Sequence, residues 1–247
     1  MTKKLVCIVI AMMASLTLAA TAQAQPYGMD YRWSFDVGLG WDNSITGNIN
    51  SGGVGKIDNQ TVVILPNPYD KVYGTGLQLR FGGGYMIDEV TEVRGMFTYQ
   101  SLDANLTTMG DIGTSKLYAQ YDPYRSFALD AGVRRYADVA SNVRVYAEAT
   151  AGIGFISETD VVLIAPTVNL TQRATDFYDR TAAVSIGGNL GVLFQASERV
   201  GVYGQIGMRW LSGMAPVDGL AGTDLEVIND NSSRWTLPFI IGLRTRF

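Results

Sequence analysis

Histidine is absent from the 247 residues, and the only cysteine, Cys7, lies close to the N-terminus. The first absence excludes histidine-dependent triads, histidine-ligated zinc and histidine general bases within the chain. The lone thiol excludes an intrachain disulfide and any CxxC site. Positive charge is scarce as well. The formal net charge is −4 at pH 7, which argues against a broad nucleic-acid surface. Past the first two dozen residues, no apolar run approaches the roughly 18–20 residues of a transmembrane helix.

What is present begins with an address. Lys3 and Lys4 precede the apolar run Leu5–Ala20, and Ala22-Gln23-Ala24 has the small-x-small form that signal peptidase accepts. Residues 1–24 are expected to be a cleaved signal peptide, and 25–247 a single domain. Cys7 leaves with the peptide. The loss of two lysines and no acid takes the charge from −4 to −6, and the remaining lysines are Lys56, Lys71 and Lys116.

In that domain apolar and polar residues alternate strictly, the signature of β-strands. Trp33, Phe35, Val37, Leu39 and Trp41 share one face, and Arg32, Ser34, Asp36, Gly38 and Gly40 share the other. Seven further segments read the same way, around 77–87, 92–99, 126–134, 143–155, 184–194, 200–210 and 235–247. Each is longer than the usual soluble strand and long enough to cross a bilayer at a tilt. Short connections (Asp88–Val90, Asp138–Ser141, Ala196–Glu198) alternate with long ones. An even strand number with this alternation predicts a closed, eight-stranded antiparallel transmembrane β-barrel, an up-and-down meander with short periplasmic turns and long extracellular loops. Ten strands would require two loop segments to cross the membrane as well, and their lengths argue against it.

Threading the strands up and down places Trp41, Tyr99, Phe127, Phe155, Trp210 and Trp235 at the outer ends of the apolar face. Trp33, Tyr85, Phe194 and Phe247 fall at the inner ends, so two aromatic girdles are expected. A soluble barrel would reverse the pattern, with apolar side chains inside. The polar face then lines the lumen. Its expected charges are Arg32, Arg80, Arg94, Arg134, Arg144, Arg209, Arg244 and Arg246 against Asp36, Glu92, Asp130 and Glu148. Guanidinium groups pair bidentately with carboxylates and keep their charge when buried. Two readings stay open here: a salt-bridged filling of the lumen, or a narrow wet path favouring anions. Inward glycines would make room for Arg80, Tyr146, Tyr203 and Arg209. Pro238 is expected to mark a bulge, since proline removes a ladder donor.

The final segment, Phe239-Ile-Ile-Gly-Leu-Arg-Thr-Arg-Phe247, resembles the C-terminal signal by which Gram-negative outer-membrane proteins engage the barrel assembly machinery, with Phe239, Ile241, Leu243 and Phe247 as its apolar positions. With the leader and eight strands, the chain resembles the small OmpA/OmpX/Opa-type barrel superfamily over nearly all of residues 25–247, without the periplasmic domain of the full OmpA pattern. The resemblance implies a monomer in the outer membrane of a Gram-negative bacterium, surrounded by lipid and lipopolysaccharide. It leaves activity open, because the fold hosts adhesins, channels and enzymes.

No nucleophile is paired with a base by spacing, and no cofactor, metal or catalytic residue is expected. Function is sought in the loops. They carry most of the acidity; the fourth holds Asp218, Asp224, Glu226 and Asp230 with no base, and divalent-cation bridging to lipopolysaccharide is one reading of it. Two loops carry β-prone apolar runs, Val62-Val63-Ile64-Leu65 and Val161-Val162-Leu163-Ile164, within the stretches Thr61–Pro66 and Asp160–Pro166 that end at proline. Either they pair and pack over the barrel mouth, or they present an edge to a partner strand of a surface ligand. The expected role is non-enzymatic, in envelope integrity or adhesion, with a narrow porin-like channel as the alternative.

Overall fold

A computed structural model describes residues 31–57, 60–216, 228 and 230–247. The expected signal peptide and the fourth-loop residues Asp218, Asp224 and Glu226 lie outside the described residues. In chain order the strands are β1 (Trp33–Thr46), β2 (Asn48–Asn50), β3 (Gly53–Ile57), β4 (Gln60–Ile64), β5 (Asn67–Pro68), β6 (Gly76–Met86), β7 (Thr91–Leu102) and β8 (Thr107–Ile112). There follow β9 (Ser115–Tyr121), β10 (Tyr124–Ala140), β11 (Val143–Ile156), β12 (Thr159–Ala165), β13 (Leu170–Tyr178), β14 (Thr181–Gln195), β15 (Val200–Leu211) and β16 (Arg234–Arg246). One short helix, α1 (Tyr69–Val72), precedes β6.

Eight of these strands, β1, β6, β7, β10, β11, β14, β15 and β16, form a closed antiparallel barrel in which β1 pairs with both β6 and β16. Closure satisfies every ladder without leaving an edge, which hydrocarbon demands. The alternation resolves as expected: along β1 exposed and buried residues strictly alternate, and the exposed set is Trp33, Phe35, Val37, Leu39 and Trp41. The buried set includes Ser34, Asp36 and Asp42. Oil therefore meets the outside and ionic groups the inside. Met208, which shares the outward parity of Ile206 and Trp210, is a local exception and is nearly covered.

The inner turns are short for local reasons. Asp88 accepts the backbone N–H groups of Val90 and Thr91 at 2.8 and 2.7 Å, and the Ser197 hydroxyl accepts that of Val200 at 3.1 Å. Pro238 does not create a bulge. The β15–β16 ladder lapses between Ile206↔Phe239 and Arg209↔Thr236, then resumes in the same register. The irregularity in β16 pairing lies instead between Ser44 and Thr46 of β1.

Beyond the wall, three hairpins rise above the barrel's outer end and join into a six-stranded sheet in the order β13-β12-β9-β8-β4-β3. The β8–β9 turn places Gly113 at a φ of 56°, as a two-residue hairpin requires. The inner face of this sheet buries Val62, Ile64, Met109, Leu117 and Val161 against Tyr69, Tyr73 and Leu102 at the barrel mouth. The sheet is a cap with its own apolar core. That explains the two apolar runs: β4 lies between β3 and β8, and β12 between β9 and β13. Neither run is an edge, so the reading of an exposed recruiting strand there is corrected; the sheet's edge strands are β3 and β13.

Candidate functional site

The polar face of the wall strands converges on two carboxylates at the inner end of the lumen. Glu148, projecting from β11, meets Arg80 at 2.5 Å and Arg134 at 2.7 Å, and lies 3.4 Å from Arg94. Asn189 donates to it at 2.9 Å. Glu92, on β7, is held by both terminal nitrogens of Arg244, at 2.6 and 3.0 Å, and accepts from Ser34 at 2.5 Å and Tyr136 at 2.7 Å. Asp36 links the two centres through Arg94 and, at 3.5 Å, Arg244. Tyrosine rings pack the remaining space, with the Arg134 guanidinium 4.0 Å from the Tyr146 ring centroid and that of Arg144 4.5 Å from Tyr136. Arg144 also pairs with Asp138 at 2.6 Å.

Toward the mouth the network thins but continues. Arg209 pairs with Asp130 at 3.3 Å and donates to Ser185 at 2.8 Å. Above it, Gln100 donates to Asp42 at 2.5 Å and accepts from Arg234 at 3.1 Å, and Arg234 stacks over Tyr124 at 4.1 Å. Between the tiers, Gln78, Thr98, Thr150, Asn189 and Arg209 line a cavity of about 20 Å³, room for one water. The mouth itself lies under the cap. There, burial pushes the Tyr69, Tyr73, Tyr121 and Tyr178 phenols up from their usual range. Tyr178 donates to the Ile49 carbonyl, and Tyr121 to Asn50 at 3.0 Å.

Of the twelve lumen charges read from sequence, eleven stand inside the wall; Arg246 is buried at the inner end. Arg32 is the exception. It is exposed and donates to the Tyr85 hydroxyl at 3.3 Å, because the β1 ladder begins one residue later and no wall encloses it. Asp42 and Arg234 were missed. Both continue the inward parity, two residues past Gly40 and two before Thr236.

The girdle residues stand on the outer face. Trp33 meets Tyr85 with ring centroids 4.8 Å apart, Phe127 meets Phe155 at 5.1 Å, and Trp210 pairs with Trp235 across the β15–β16 ladder. Tyr99 lies beside Phe127, and Trp41 beside Phe239; Phe194 and Phe247 are exposed at the inner end. Of the proposed assembly positions, Phe239, Ile241, Leu243 and Phe247 all face outward. In the cap, Val62, Ile64 and Val161 are core residues. Val63 and Leu65 are exposed, while Val162, Leu163 and Ile164 are half-buried.

Glycine gives the inner side chains their room. A Cβ on Gly191 would stand 2.3 Å from the Tyr146 ring and 2.8 Å from the Gly204 carbonyl oxygen. Gly191→Ala should lower the urea midpoint of micelle-refolded protein by the equivalent of about 1–3 kcal/mol, the range for overpacking. The loss caused by Gly191→Ala should be smaller in a Tyr146→Leu background than in the parent, because the ring it meets is gone, and an equal loss in both would count against the steric cause.

No family model and no curated protein matches the chain. Solved structures do match by fold. Neisserial surface protein A has a TM-score of 0.47 at 10% identity, covering 87% of this chain and 97% of its own. The attachment invasion locus protein Ail of Yersinia pestis gives 0.39 at 11%, covering 87% and 99%. The outer membrane protease OmpT of Escherichia coli gives 0.39 at 7%, covering 92% and 99%. The architecture is fixed by the chain's own geometry: a closed wall, a lipid-facing apolar band between aromatic rows, and ionic groups within. This chain is an eight-stranded outer-membrane β-barrel with an extracellular β-sheet cap.

Proposed function

We propose that the protein is a non-enzymatic surface-interaction protein that binds through the outer face of its cap, in the manner of an adhesin. The observation that carries this reading is apolar surface left on the solvent side of a sheet whose other side already has a complete core. Val54 and Val63 are cross-strand partners, 64% and 38% exposed, and Leu65 is 49% exposed on the same face. Across the sheet the same face carries the exposed Asp111–Lys116 ion pair on β8 and β9, then the half-exposed Tyr118–Ile164 pair and Val162. Exposed apolar side chains rimmed by charged ones are the ordinary mark of an interaction site.

The channel reading is supported less well, because the lumen is packed with paired side chains around a one-water cavity and the mouth is covered. Two measurements test the choice. Cells displaying the V63D/L65D double variant should adhere to an epithelial monolayer about tenfold less than cells displaying the parent, with barrel assembly intact. Purified protein in planar bilayers should give no stable conductance. Unchanged adherence, or a stable conductance lowered by Arg80→Ala or Arg209→Ala, would favour the alternative.

A further inference from the structure

Outward-facing side chains on the wall stand in cross-strand rows, inclined to the membrane plane by the strand tilt, and on one side of the barrel these rows build a groove with a charged end. Its floor is Gly83, Gly95, Ala131 and Ala151, direct cross-strand neighbours on β6, β7, β10 and β11. The next row toward the extracellular end is Phe81, Phe97, Leu129 and Ile153, and the row beyond it Leu79, Tyr99, Phe127 and Phe155. Small residues below large ones leave a lipid-facing depression of about 700 Å³. A Cβ added at Gly95 would touch nothing within 4 Å, so the space is open.

One row higher stands Arg125, between Ser101 of β7 and Ser157, whose N–H donates to its carbonyl. It is exposed and carries no ion pair among the described residues. Arg180, close by above the β11–β14 pair, is shared with Glu158 at 3.1 Å. The depth of the groove is informative. Six residues of β10 separate Ala131 from Arg125, about 20 Å along a strand at roughly 3.3 Å per residue. A barrel tilt of about 40° reduces this to roughly 15 Å of depth, half of a hydrocarbon core about 30 Å thick. With the Arg125 guanidinium set where outer-leaflet headgroups begin, Ala131 falls near the bilayer midplane.

We propose that this face is a lipid site that holds one lipopolysaccharide molecule, with a lipid phosphate on Arg125 and an acyl chain in the groove over Gly95 and Ala131. An unpaired cation and an open apolar slot, one leaflet apart, match an amphiphile with an anionic head. A second copy of the barrel seated here would bring another Arg125 to the same end, where the nearby Glu158 is already shared with Arg180.

Native mass spectrometry of the refolded full chain, titrated with purified lipopolysaccharide, tests the assignment. The parent is expected to retain one lipid per barrel. Arg125→Glu should weaken retention at least tenfold, and phosphatase-treated lipopolysaccharide should bind the parent as weakly as the native lipid binds that variant. Gly95→Leu, which fills the floor, should also lose the lipid, while Val202→Leu on the far wall should keep it. Heat-modifiable electrophoretic mobility reports that each variant is folded. Retention at parental strength by both folded variants, Arg125→Glu and Gly95→Leu, would overturn the proposal. A parental dimer dissolved by Gly95→Leu would do so too, by assigning the face to a second copy.

Discussion

Glu148→Ala should be the most damaging single substitution in the barrel wall, lowering stability by about 3–5 kcal/mol, the range for removing one partner of a buried ion pair. Three guanidinium groups, from Arg80, Arg134 and Arg94, surround this one carboxylate, with Asn189 beside it. Truncation leaves those cations facing one another with only Asp36 and Glu92 nearby to offset them. Truncation removes the carboxylate's own desolvation cost, but the three guanidinium groups stay buried without their counter-charge, and that uncompensated cost dominates. Glu148→Gln separates charge from shape: it keeps two polar atoms in place and removes the charge. It should fall close to the alanine variant in urea midpoint if electrostatics dominates, and close to the parent if the hydrogen-bonding shape does. A parental midpoint for Glu148→Ala, measured on protein refolded into vesicles, would mean that the network does not hold the wall together.

The second large effect concerns the outside of the same wall. Ile206 is 49% exposed midway along β15, flanked by Leu190 and Phe239 on the neighbouring strands. An arginine there faces the middle of the hydrocarbon, a position that costs about 2–4 kcal/mol in barrels of this type. Its neighbour Gln205 points inward, accepting from Tyr146 at 3.0 Å and from Arg134 at 3.5 Å. Gln205→Arg is therefore not neutral, because it sets a further cation beside Arg134. The two substitutions differ in what relieves them. Ile206→Arg should impair insertion into vesicles and be largely tolerated in small detergent micelles, where the charge reaches water. Gln205→Arg should destabilise the protein equally in both. Identical behaviour of the pair in vesicles and micelles would contradict the assigned faces.

The wall was legible in the sequence because its two determinants are local. Period-two alternation assigns the faces, and the lengths of successive connections assign the ends. The errors in its charge list were errors of extent, since Arg32 lies one residue before the ladder and Asp42 and Arg234 lie just past the segments used, whereas the bulge expected at Pro238 was an error of kind. The cap was not legible, because its order depends on ladders such as Val62↔Ile112 and Ile164↔Tyr118, which join hairpins far apart in the chain. No periodicity within one hairpin specifies those partners. The two apolar runs did announce a need for burial, but alternation within them went unread. Val62 and Ile64 face the core while Val63 and Leu65 face water. Deleting either run whole would therefore destroy the cap's interior along with its surface, which is why point substitutions are the sounder probe of binding.

The joined cap also bears on how this protein can vary under pressure from its surroundings. Hairpins that share ladders cannot drift independently: a length change in the second one shifts register against the first and the third together. Change without collapse is concentrated at the hairpin tips and along β3 and β13, each of which has a neighbour within the sheet on one side only. An immune system or a bacteriophage selecting against this surface would drive diversity into those margins and leave the middle strands nearly constant.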